Sequence, residues 1–118
     1  IEAPYVMAGV NVLVAPTDEE AAYLFTTAQQ LAAGIRTGRR MPLQPPVRDL
    51  AAAIGPEVAG FVEGFQAVRA VGSPATVVAQ LEAIVADLGL DEAIITTYCH
   101  DPAMRDRSFD LLADAWFD

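Results

Sequence analysis

The sequence predicts an α/β fold built on a parallel sheet, and three stretches carry that expectation. From Val71 to Tyr98, Gly72-Ser73-Pro74 opens a periodic helix, Gly89 closes it, and Glu92-Ala93-Ile94-Ile95-Thr96-Thr97-Tyr98 follows as a strand. Asp101-Pro102 then starts another helix, which completes an α-β-α rhythm. At the other end, Pro4 to Ala15 is almost continuously apolar, the pattern of a central strand buried on both faces.

After that first strand, Pro16-Thr17-Asp18-Glu19-Glu20 starts a helix over 18–36. Thr17 is the N-cap, Glu20 completes a capping box, and three acids suit the positive end of the helix dipole. Ala21, Leu24, Phe25, Ala28, Leu31, Ala32 and Ile35 form its expected buried stripe, and Gly38 is placed to end it. The following Arg39-Arg40-Met41-Pro42-Leu43-Gln44-Pro45-Pro46-Val47 reads as an extended connection, because each proline removes a backbone donor and biases its predecessor away from helix.

Two short helices are expected next, Asp49 to Ile54 and Pro56 to Gln66, the second weakened by Gly60 and Gly64. Ala67 to Val71 reads either as a brief strand or as the end of that helix. Ser73 as N-cap and Pro74 at the first helical position begin the next helix, whose stripe is Val77, Val78, Leu81, Ile84, Val85 and Leu88. In the last helix Met104, Phe109, Leu112, Ala113 and Trp116 are expected to face inward.

Composition narrows the function classes. A net charge of −9, from 16 acidic against 7 basic residues, disfavours a nucleic-acid partner. The single cysteine, Cys99, cannot form an internal disulfide, which makes a reducing cytoplasm the expected location. No apolar run approaches the roughly 20 residues of a membrane helix. At 53% apolar content in 118 residues, the excess surface is expected to face more of a larger fold or another copy of the chain. The start at Ile1 rather than Met adds to the expectation of an incomplete chain.

The segments taken in order resemble the C-terminal part of the bacterial luciferase-like, flavin-dependent monooxygenases. The matching pieces are Pro4-Tyr5-Val6-Met7-Ala8-Gly9-Val10-Asn11-Val12 with Thr17-Asp18-Glu19-Glu20-Ala21, then Leu43-Gln44-Pro45-Pro46-Val47, Val71-Gly72-Ser73-Pro74, and Asp91-Glu92-Ala93-Ile94-Ile95-Thr96-Thr97. What the resemblance implies is a partial TIM barrel comprising the last three βα units, with the strands looking like the sixth, seventh and eighth. A whole barrel takes roughly 250 residues. For the parent it implies reduced FMN, molecular oxygen and a small organic substrate. For the fragment alone it implies no bound cofactor and no turnover.

Barrel active sites lie on the loops after the strands, which directs attention to Ala15–Thr17, Val71–Ser73 and Tyr98–Asp101. Gly72 and Ser73, at a helix N-terminus, present free backbone N–H groups to which a cofactor phosphate can bind; an ordinary capped helix start accounts for them equally. His100 is the candidate catalytic residue, as a hydrogen-bond donor to flavin or a general acid or base, with a surface histidine as the plain alternative. Cys99-His100-Asp101 is not read as a metal site, since neighbours in an extended segment point apart and no second histidine exists. Asn11, an amide in an apolar strand, is expected to pair with a neighbouring strand or water, or else to face substrate.

Two function classes follow. One is a piece of a flavin-dependent monooxygenase, inactive in isolation. The other is a non-catalytic α/β assembly or binding module whose apolar face is a subunit interface; a flavin-sensing relative without turnover is a third. An open three-stranded parallel sheet exposes two edges, so self-association is expected in either case.

Overall fold

A computed structural model describes residues 4–39, 41–64 and 68–117. Its elements are β1 (Met7–Val14), α1 (Asp18–Thr37), α2 (Leu50–Ile54), α3 (Pro56–Gly64), β2 (Arg69–Gly72), α4 (Pro74–Leu88), β3 (Glu92–Thr96) and α5 (Pro102–Trp116). The expected strand at Ala67–Val71 forms as Arg69–Gly72. Gln66 and Ala67, proposed as a helix end and a strand start, lie outside the described residues, as does Arg40.

All strand pairs are parallel, and the order is β2-β1-β3. Asn11 stands opposite Arg69 on one side and Thr96 on the other. The α/β class with parallel strands and flanking helices is therefore as expected, and so is the central place of the apolar first strand. The order within the sheet differs from that of consecutive barrel units, which would put β2 in the middle. The longest strand takes the centre, pairing with β2 over its second half and with β3 over its first, and Val10, Val12, Leu13 and Val14 are almost fully buried there.

The strand's alternation divides the core in two. Val10, Val12 and Val14 point to one face and pack with Ala70, with Val77 and Leu81 of α4, and with Leu112 of α5. Leu13 points to the other face and meets Phe25 and Ala28 of α1 together with Cys99. Helices thus lie on both faces of the sheet. The radius of gyration, 15.0 Å, exceeds the about 13.5 Å of a compact domain this long, and the sheet face beyond α1 stays open. On that face Met7 is 54% exposed and Ile94 is 52% exposed.

The helix ends follow the sequence signals closely. Thr17 Oγ1 accepts from the Glu20 N–H, Ser73 Oγ from Thr76 and Asp101 Oδ1 from Ala103. Gly38 takes the left-handed conformation, φ 75°, that a side chain would resist, and ends α1.

Two expected stripes are corrected. In α1, Thr26, Thr27 and Ala33 are buried while Ile35 is 69% exposed. The cause is the proline-rich segment, which runs along a second face of the helix. The Thr27 hydroxyl donates to the Gln44 carbonyl at 2.7 Å, Gln30 Nε2 donates to the Pro45 carbonyl, and the Val47 N–H donates to Thr26 Oγ1. In α5, Leu112 and Ser108 face inward, whereas Phe109, Ala113 and Trp116 are exposed. The helix lies over β1 on its Ser108–Leu112 line, which turns the aromatic residues towards a groove beside α4.

Candidate functional site

The loops that follow the three strands meet at one end of the sheet, and internal polar contacts tie them together. Ser73 N–H donates to Asp18 Oδ1 at 2.7 Å, linking the turn after β2 to the first turn of α1. Arg107 Nη2 lies 2.8 Å from Glu20 Oε1, joining α5 to that same turn. Val14 N–H, at the end of β1 beyond the reach of β3, donates to the buried Ser108 Oγ at 2.8 Å.

Gly72 and Ser73 sit where expected, between β2 and α4. A Cβ on Gly72 would come within 2.7 Å of both Asp18 Oδ1 and Thr76 Cγ2, so the turn needs glycine to let the carboxylate approach. The hydrogen bond from the Ser73 backbone, joined by Thr76, holds the Asp18 carboxyl below its ordinary pKa. The N–H that a phosphate would use is thus engaged by an internal anion. As the turn stands, it does not fit a phosphate.

His100 is exposed in the loop between β3 and α5, and the neighbouring Cys99 turns inward against Leu13 and Phe25. Burial raises the Cys99 thiol pKa, which keeps it protonated and a poor nucleophile. Adjacent side chains diverge as the extended geometry requires. Among the described residues no group of three or more His, Cys, Asp or Glu side chains comes together to hold a metal ion. No described helix is long and apolar enough to cross a membrane.

A second locus lies on the α1 face of the sheet. Arg69, Asn11 and Thr96 form a polar row across the three strands. Asn11 Oδ1 is buried there and has no hydrogen-bond partner, so the expected pairing of this amide with a neighbouring strand is not made among the described residues. Thr97 points to the other face, where its hydroxyl is likewise buried and unpartnered. Sequence reasoning missed Asp18, Ser108, Arg107 and Arg69. The first three have their partners 55, 94 and 87 positions away, and no local spacing announces that.

With this geometry in view, comparison with known proteins shows what the chain is similar to. The parallel strands and flanking helices superpose on 35% of the chain of apo-MsnO8, a solved structure, with a TM-score of 0.80 and 32% sequence identity over 98% of this chain. The chain is 29% identical over 114 residues to an Escherichia coli K12 protein named luciferase-like monooxygenase. It is also 33% identical over 116 residues to the Bacillus subtilis protein YvbT, described as uncharacterized. No family model matches. The chain spans about a third of the length of these curated relatives. Over nearly its whole length the chain is similar to about a third of proteins named luciferase-like monooxygenase, the likeness that the matched segments indicated.

Proposed function

We propose that this chain is the C-terminal portion of a flavin-dependent monooxygenase that uses reduced FMN and molecular oxygen to oxygenate a small organic substrate. The observation that carries the reading is the likeness over 97% of this chain to a third of a protein named luciferase-like monooxygenase, joined by the structural likeness over 98% of it to a third of apo-MsnO8. In this reading the chain alone does not turn over, since its strand-end loops bring together no acid–base pair and no nucleophile among the described residues.

His100 is its one exposed imidazole at a strand end, and within the proposal it hydrogen-bonds the cofactor or moves a proton near it. FMN, when bound, supplies the electrons that activate oxygen. The chain's own residues supply position and a proton donor.

The test is oxygen uptake by the polypeptide carrying this segment, with reduced FMN regenerated by a separate reductase. Uptake above that of free reduced FMN is expected, reduced at least about tenfold in His100→Gln, in line with loss of an acid–base group. A polypeptide that neither binds reduced FMN nor changes its oxidation rate overturns the reading. The assembly-module reading is favoured by a different observation, the exposed Met7 and Ile94 on an open sheet face.

A further inference from the structure

Beneath the row of Arg69 and Asn11 lies an open pocket of about 380 Å³, flanked by α1 and α3. This volume falls within the range of small-molecule sites. Its walls are largely apolar, with Phe25 and Ala28 from α1 and Val62 from α3, and four polar side chains, those of Arg69, Arg36, Asn11 and Gln29, break them. Arg69 lies with its guanidinium carbon 5.3 Å from the centre of the Phe25 ring, and that of Arg36 lies 4.4 Å from the centre of the Phe61 ring. Neither arginine has a carboxylate partner among the described residues, although the chain carries a net charge of −9. The third group is Asn11, whose Oδ1 is buried and unpartnered on the strand position opposite Arg69. A buried acceptor left in this state is destabilising, and a ligand donor relieves it.

We propose that this pocket binds a small aromatic carboxylate bearing a hydroxyl group. The aromatic body lies among the apolar walls, the carboxylate meets the Arg69 and Arg36 guanidiniums, and the hydroxyl donates to Asn11 Oδ1. Two guanidiniums already stacked on rings are pre-organised for such a planar anion, and they bind it with less loss of side-chain freedom than two lysines would. The proposal is independent of flavin use, because none of these residues lies on the strand-end loops.

The experiment is calorimetric titration of the purified protein with 3-(4-hydroxyphenyl)propanoate, its methyl ester and 3-phenylpropanoate. Saturable binding of the hydroxy acid is expected with Kd below about 1 mM. The ester and the Arg69→Gln and Arg36→Gln variants should bind about tenfold more weakly or worse, as loss of a charged hydrogen bond predicts. Loss of the hydroxyl should cost severalfold in the wild type and nothing in Asn11→Leu. Arg36 is exposed, so its variant keeps the test open should Arg69→Gln fail to fold. Equal affinity for acid and ester, unchanged affinity in both arginine variants, or no saturable binding overturns the proposal.

Discussion

Asp18 holds two positions at once: it belongs to the acidic first turn of α1, and its carboxylate also receives the Ser73 N–H from a turn 55 residues away. Because these donors favour the charged form, its pKa in the folded chain lies below the ordinary value of 3.8. A depressed carboxylate pKa contributes stability that is fully present above the unfolded value and is lost as pH falls through the folded value. Asp18→Asn should therefore lower the midpoint of urea unfolding at neutral pH, with the difference from wild type closing below about pH 4. A gap that stays constant down to pH 2 would show that the charge is not what matters. The sequence shows Asp18 only as a helix-start acid, since its second partner becomes visible when β2 lies beside β1.

At the scale of elements, the capped helices illustrate what local sequence can announce. Ser73-Pro74 and Gly89 bracket α4 at its observed ends, because caps are satisfied within one turn of chain. The faces are a different matter. The α1 stripe is displaced by a proline-rich segment that hydrogen-bonds Thr26 and Thr27, and α5 buries a serine where aromatics were expected. Ser108 fastens α5 to the sheet by accepting from Val14 N–H, a donor buried at the end of β1. Ser108→Ala should leave that donor unsatisfied and cost about 1–3 kcal/mol of unfolding free energy. Denaturant unfolding measures it, and a change below about 0.5 kcal/mol would mean that water reaches Val14 instead.

The whole molecule leaves apolar surface uncovered. Among the described residues both outer strands have a free edge, and Met7 and Ile94 stand exposed on the α1 face. Phe109, Trp116 and Phe117 line a groove on the opposite side, where Phe117 is 84% exposed. Such edges and patches associate in water. The isolated 118-residue chain is therefore expected to run above its monomer mass of 12.5 kDa in light scattering after size exclusion, with the excess falling on dilution. A clean monomer at high concentration would contradict this. Replacing Met7 and Ile94 with lysine separates the two surfaces: loss of association assigns it to the sheet face, and persistence assigns it to the aromatic groove.

By itself the sequence determined the parallel α/β class, the order and ends of most helices, the central first strand and the family likeness. All of these rest on apolar period, capping residues and short matched segments, which act within a few residues of chain. Only the tertiary structure decided that β1 lies between β2 and β3, that Asp18 fills the turn proposed for phosphate, and that Arg69 and Asn11 share a pocket. Those features depend on strand neighbours and on which helix covers which face. Contacts between residues tens of positions apart fix both, and no spacing along the chain encodes them.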